Sequence, residues 1–206
     1  ESRQNVIFNG LDHDRFNPGD RSSAREAARQ KWQLDQPFFL YVSRLEHPAK
    51  NHVRLIEAFT RFKQETGSPW TLALGGSDWH GAEVIHEAAK RSPFASDIRF
   101  LGFIDDADLP QLYRAAGAFV YPSLFEGFGL PPVEAMACGC PVISSTRGSL
   151  DEVVASAALR IDPESIGEMS DALCRMSSDD AERSFLIEAG LANARRFDWQ
   201  DNARRV

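Results

Sequence analysis

The sequence predicts an α/β fold, a doubly wound parallel sheet of about six strands. Three observations carry that prediction. Short β-branched and aromatic runs recur along the 206 residues, and helix-length segments with apolar residues at three- and four-residue steps separate most of them. The runs are also nearly continuously apolar, as strands covered by helices on both faces are.

In chain order the runs are FFLYVS (38–43), WTLALGG (70–76), DIRFLG (97–102), AFVYPS (118–123), PVISS (141–145) and AALRID (157–162). After the first, NHVRLIEAFTRFKQETG sets Leu55, Ile56, Phe59 and Phe62 on one helical stripe, with Gly67 as its stop. Phe38 and Phe39 read as core with Phe59 and Phe62. After the third run, DADLPQLYRAAG takes Asp105 or Asp106 as N-cap and turns Leu109, Leu112 and Tyr113 inward. After the fourth, EGFGLPPVEAMACG opens a helix with Pro131 or Pro132 in its first turn. Strand–helix–strand repetition implies right-handed crossovers. The chain shows no internal repeat and no low-complexity linker.

Composition narrows the function. The net charge is −7 with no Lys- or Arg-rich block, which argues against dense binding to nucleic acid or to an anionic membrane. No apolar run reaches the roughly 18–20 residues of a membrane span. The polar start ESRQNVIFNGLD lacks a signal-peptide pattern. Cys138, Cys140 and Cys174 do not form a disulfide framework, so a cytoplasmic location is expected. CGC differs from the spacing of a metal-binding pair, and small residues packing a helix end explain it better.

In a parallel sheet every loop that follows a strand emerges at the carboxyl edge. SRLEHPAKN, GGSDWHG, GFIDD, PSLFEGFG and STRGS should therefore converge on one cleft. Gly127 and Gly129 let backbone approach a ligand, and the helix start beyond them favours anions. Arg44 and Lys50 stand six residues apart in the first of these loops. Singly, each is an ordinary turn or a solvated charge. Together, two cations and an amide-lined helix start point to a diphosphate, with each charge-assisted hydrogen bond worth about 1.5–3 kcal/mol. Glu126 and Glu134, with seven residues between them within the loop and helix, suit sugar hydroxyls: Glu134 a ribose pair, Glu126 a transferred sugar. A nucleotide-sugar accommodates both acids and both cations.

NGLDHDRFNP, YVSRLEHPAKNHVRLIEAF, LALGGSD, RFLGFIDDADLPQLYRAAGAFVYPSLFEGFGLPPVEAMACGCPVISS and DEVVASAALRIDP resemble, in order and over nearly the whole chain, the C-terminal domain of glycosyltransferase family 4. The resemblance implies a Rossmann-like domain, one half of a GT-B architecture, in a retaining hexosyltransferase. It implies that Arg44 and Lys50 bind the donor diphosphate, that Glu126 contacts the donor sugar and that Glu134 holds the ribose. It assigns backbone contacts to Phe128, Gly129 and Leu130, frames the base with Phe103 and Ile104, and lines the pocket with Gly76 and Ser77. Transfer is expected without metal or other cofactor, by a same-face displacement in which the leaving diphosphate takes the acceptor's proton. The donor is expected to be a GDP- or UDP-sugar, with a lean to mannose, and the acceptor a saccharide or lipid-linked saccharide.

The resemblance also divides the chain into an interdomain linker (1–19) and a donor-binding domain (20–206). An N-terminal acceptor domain lies outside it, so the isolated chain is expected to be nearly inactive, and any membrane docking falls to that missing half. Two other readings stay open at this point: a non-catalytic nucleotide-sugar-binding or scaffold module, and a GT-B-fold nucleotide-sugar epimerase. Asp12–Asp14 imitates a metal-binding D-x-D but precedes the first strand. His47, His52, His80 and His86 lack the spacing of a zinc site and read as solvated or edge-packed.

Overall fold

The structure, a computed structural model, describes residues 9–199. The stretch before Asn9 and the QDNARRV terminus lie outside the described residues. Six strands, β1 (Phe38–Val42), β2 (Thr71–Gly75), β3 (Ile98–Gly102), β4 (Ala118–Tyr121), β5 (Val142–Ser145) and β6 (Leu159–Ile161), form one sheet in the order β3-β2-β1-β4-β5-β6. Every pairing is parallel. The doubly wound sheet of six strands is therefore as the sequence predicts.

Each strand lies within its apolar run but is shorter, because the flanking residues hand over to turns. Pro122 and Pro141, which have no N–H for the ladder, stand just outside β4 and β5. Burial on both faces holds for β1, β4 and β5. It fails for β3, an edge strand in which only Ile98 is fully buried.

Helix α1 (Arg21–Trp32) precedes the sheet, and α2 (His52–Thr66) and α3 (Ala82–Arg91) follow β1 and β2. Then come α4 (Leu109–Ala115), α5 (Leu130–Ala137), α6 (Leu150–Val154), α7 (Ile166–Ser178) and α8 (Asp180–Ala194). In α2 the stripe Leu55, Ile56, Phe59 and Phe62 is wholly buried, and Gly67 ends the helix at φ 60 with its N–H on Lys63 O. The N-cap expected at Asp105 or Asp106 is displaced. Asp108 holds that position, without a side-chain cap, because the Asp105 carbonyl already receives the N–H groups of Asp108 and Leu109 in a preceding turn. Leu112 and Tyr113 are buried, and Leu109 is partly so.

Two helical layers cover the sheet: α2 packs on α3 and α7, while α4 packs between α1 and α5, with α8 against α5. The segment 9–19 is fastened to this body. Leu11 and Phe16 are buried, Leu11 N–H donates to Phe197 O at 2.9 Å, and Arg114 Nε donates to Asn17 O at 2.8 Å.

From β1 the chain winds towards β2, and from β4 towards β5, on the other side. The strand order thus reverses between the adjacent strands β1 and β4, and their carboxyl ends leave a crevice there.

Candidate donor-binding site

Lys50 and Glu126 close the crevice. Lys50 ends the loop after β1, Glu126 lies in the loop after β4, and Lys50 Nζ stands 2.7 Å from Glu126 Oε1. The two side chains are 16% and 12% exposed, so the pair is shielded without being cut off from solvent. Beneath it the rings of Tyr41 and Tyr121, from β1 and β4, meet edge to face at 5.7 Å. The Tyr41 hydroxyl donates to Lys50 O at 2.8 Å and so fixes the backbone that carries the lysine.

Two further ties hold the loops together. Asn51, buried at the αL N-cap of α2, donates from Nδ2 to Pro122 O at 3.0 Å and to Pro163 O at 2.7 Å. Leu124 N–H donates to Ala49 O at 3.1 Å. His52, next in sequence, is a correction to the expectation of solvated or edge-packed histidines. It is 1% exposed and tilted against Tyr41 at 4.7 Å, and burial, with lesser effects of Lys50 and His47, pushes its pKa down to about 3. Its Nε2 faces Ser43 Oγ at 3.3 Å while its Nδ1 is without a partner.

Arg44 takes a different direction from Lys50. Its guanidinium lies over the Trp79 ring, 5.1 Å from the centroid, and pairs with Glu46 at 3.2 Å. The sequence points both cations at a diphosphate. In the structure each is matched to a carboxylate of this chain, because the loop after β1 carries its own acid and the loop after β4 reaches across the crevice. The loop after β2 is bonded to the first: Leu45 N–H donates to Ser77 O at 3.0 Å and Trp79 N–H to Leu45 O at 3.1 Å. Gly76 is required at that junction. Its φ is 143, and a Cβ there would fall 1.9 Å from Ser43 O. Phe103 projects into solvent at 72% exposure, whereas Ile104 is buried and lies against Gly75.

At the start of α5, Gly129 holds φ 94, and a Cβ there would meet Leu150 Cδ2 at 2.4 Å. Ser149 Oγ donates to Phe128 O at 3.1 Å, which ties this turn to the loop after β5. The Phe128 ring packs edge to face on Phe197 at 5.9 Å. Gly127 is unconfined: nothing lies within 4 Å of a Cβ built there. Leu130 is the first helical residue and Pro131 and Pro132 follow it, so among the first three helical positions Leu130 alone has an N–H.

Glu134, one turn further on, is half-buried, and its Oε2 accepts from the Tyr113 hydroxyl at 3.0 Å. Burial raises its carboxyl above the usual range, against the opposing effects of the Tyr113 hydrogen bond and the nearby Arg15. Burial likewise pushes the Tyr121 hydroxyl up, with Tyr41, Glu126 and Glu134 adding to it, so Tyr121 lies within the field of both glutamates. The sequence reading missed this role for the three tyrosines, as it missed Glu46, Trp79, Asn51 and Ser149. A tyrosine in a buried strand or on the buried face of a helix is the available signal, since its hydroxyl needs a partner.

Asp12 Oδ1 caps a local turn by accepting from Asp14 and Arg15 N–H, each at 3.1 Å, and His13 Nε2 faces Phe197 O at 3.2 Å. Among the described residues no group of three or more His, Cys, Asp or Glu is arranged to hold a metal ion, and no helix is long and apolar enough to cross a membrane. Cys138 and Cys140 are buried free thiols, both pushed up to about 12 by burial.

A crevice at the strand-order reversal of a doubly wound sheet marks an α/β ligand-binding domain. The profile of the glycosyl transferases group 1 family matches residues 23–192, and the chain belongs to that family. It is 40% identical over 173 residues to the O-antigen chain mannosyltransferase B of Escherichia coli, a match covering 84% of this chain and 45% of that protein. It is 30% identical over 213 residues to the D-inositol 3-phosphate glycosyltransferase of Corynebacterium urealyticum, covering 100% of this chain and 50% of that protein.

Among solved structures, it is similar to the C-terminal domain of the group 1 family protein LpcC from Francisella tularensis. That match has a TM-score of 0.77 and 25% identity over 91% of this chain and 97% of that one. It is also similar to HepE of Anabaena in complex with UDP and glucose, with a TM-score of 0.86 and 25% identity over 98% of this chain and 55% of that one. The fold is that of a GT-B C-terminal domain. The chain spans about half the length of these two curated relatives.

Proposed function

We propose that the chain is the donor-binding domain of a retaining hexosyltransferase that takes a sugar, mannose by preference, from a GDP- or UDP-sugar. The observation that carries this reading is the Lys50–Glu126 pair across the strand-order reversal. One cation and one carboxylate in contact offer a phosphate site and a hydroxyl acceptor side by side, as the diphosphate–sugar junction of such a donor requires. On this reading the diphosphate recruits Lys50 and draws Arg44 from Glu46, while Phe128, Gly129 and Leu130 present backbone N–H groups. Glu126 then turns to the sugar hydroxyls and Glu134 receives the ribose. Phe103 and Ile104 border the base, with Gly76 and Ser77 on the facing wall.

In the transfer step the acceptor oxygen bonds to the anomeric carbon on the face from which the diphosphate departs. The bond from that carbon to the phosphate oxygen breaks, and the acceptor's proton passes to the departing diphosphate. The protein's part is orientation and stabilisation of the leaving charge, with no metal required. The acceptor, a saccharide or lipid-linked saccharide, would be held largely by a second, N-terminal domain. Residues 1–19 would be the linker to it and 20–206 the donor domain. A cytoplasmic enzyme, brought to the membrane if at all through that other domain, completes the proposal. The similarity to a mannosyltransferase supports the preferred sugar, and the solved UDP complex of HepE supports a nucleoside diphosphate.

Calorimetry with UDP, GDP and their hexose conjugates on the full-length polypeptide tests this reading, followed by NMR of the product's anomeric centre. Saturable binding lost in Lys50→Ala, and a product with the donor's configuration, are expected. Absence of binding by every nucleotide, or an inverted product, refutes it.

A further inference from the structure

The Glu134 carboxylate is fixed from below. The Tyr113 hydroxyl donates to Glu134 Oε2 at 3.0 Å, and Tyr113 itself is completely buried. Its ring stands edge-on to Phe119 at 5.2 Å and tilts against Phe16 at 6.3 Å. A ring packed from both sides presents its hydroxyl at one place, so the hydrogen bond selects one rotamer of a glutamate that otherwise has three rotatable bonds. An ionised carboxylate has about four lone-pair sites on its two oxygens. Tyr113 takes one on Oε2, which leaves both oxygens able to accept one more hydrogen bond each. Two acceptors a carboxylate's width apart match two adjacent hydroxyls of a sugar.

We propose that Tyr113 is a positioning residue for ribose recognition, aiming the Glu134 carboxylate at the vicinal 2′- and 3′-hydroxyls without touching the nucleotide. This rests on the reading of the crevice as a nucleoside-diphosphate site. A tyrosine that merely fills the core behaves differently from one that aims a carboxylate. Loss of a packing hydroxyl weakens ribo- and deoxyribonucleotides by the same factor. Loss of an aiming hydroxyl weakens the ribonucleotide more than the deoxyribonucleotide, which leaves the carboxylate only the 3′-hydroxyl to hold.

The test is the affinity ratio of UDP to 2′-deoxy-UDP, and of GDP to 2′-deoxy-GDP, by calorimetry on the full-length polypeptide. Wild type, Tyr113→Phe and Glu134→Gln are compared. Each ratio is taken within one protein, so any change in the folded fraction cancels. Wild type is expected to prefer the ribonucleotide by about tenfold. Tyr113→Phe should cut that preference at least about threefold, weakening the ribonucleotide more than the deoxynucleotide, and Glu134→Gln should reduce it at least as far. A preference kept in Tyr113→Phe but lost in Glu134→Gln overturns the positioning role and leaves the site reading standing. A preference absent from wild type, or untouched in Glu134→Gln, refutes Glu134 as the ribose contact and the proposal with it. Failure of wild type to bind either nucleotide overturns both.

Discussion

Lys50 and Glu126 are separated by 76 positions in the chain and by 2.7 Å in space, and neither is fully exposed. Breaking one side of a shielded pair leaves the other charge poorly solvated. Lys50→Met and Glu126→Gln are each expected to lower the unfolding free energy by about 1–3 kcal/mol, less than for a fully buried pair. The double variant should lose less than the sum, with a coupling of about 1–2 kcal/mol. Urea denaturation of the four proteins measures it, and additive losses would exclude the pair as a structural tie.

Arg44 is more exposed than Lys50 and stacked on Trp79, so its removal should spare the fold. Arg44→Ala is expected to weaken UDP and GDP about 10- to 100-fold and the corresponding nucleosides hardly at all. Trp79→Leu should act less, since a cation–ring contact at an exposed site contributes about 0.5–1 kcal/mol. Equal weakening of nucleoside and diphosphate in Arg44→Ala would show that Arg44 does not serve phosphate.

Gly76→Ala forces a Cβ into the Ser43 carbonyl at a φ that side chains avoid. A loss of about 3 kcal/mol or more is expected, together with displacement of the Arg44 loop and weaker nucleotide binding. A variant as stable as wild type in urea would contradict this geometry.

His52 makes the fold sensitive to acid. Its folded pKa, about 3, lies below the ordinary histidine value, so the fold accepts the neutral ring. Its contribution is fully present above about pH 6.5 and is lost as the pH falls towards 3, because the unfolded chain takes up a proton that the folded chain refuses. The loss is on the order of 4 kcal/mol over that window. His52→Phe should flatten the stability curve between pH 6 and 4, and a wild-type curve that is itself flat there would show that the ring protonates freely in the fold.

How much of this was legible depends on what each residue answers to. The strands were legible because burial on two faces leaves an unbroken apolar run, and β3, covered less, strays from that pattern. Helix α2 announced itself through large apolar residues and Gly67. Helix α1 did not: its buried residues are only Ala24 and Ala28, which make no conspicuous stripe. Its start, and those of α7 and α8, rest on side-chain caps at Asp20, Ser165 and Asp179. The meeting of Lys50 and Glu126 followed from topology, since adjacent strands deliver their loops to one crevice. The partners of Arg44 and Glu134 did not follow. They depend on where Glu46, Trp79 and Tyr113 point, and spacing along the chain carries no such direction. His52 was misread for the same reason: it opens α2 but turns its ring inward onto Tyr41.

The two prolines after Leu130 have a consequence for how a multiply charged ligand would be gripped. With amide hydrogens subtracted from that helix start, ionic side chains must supply most of the attraction, and mobile ions in the buffer compete for these. Tightness of binding should then fall steeply as ionic strength rises, more so than in a domain whose helix keeps every amide.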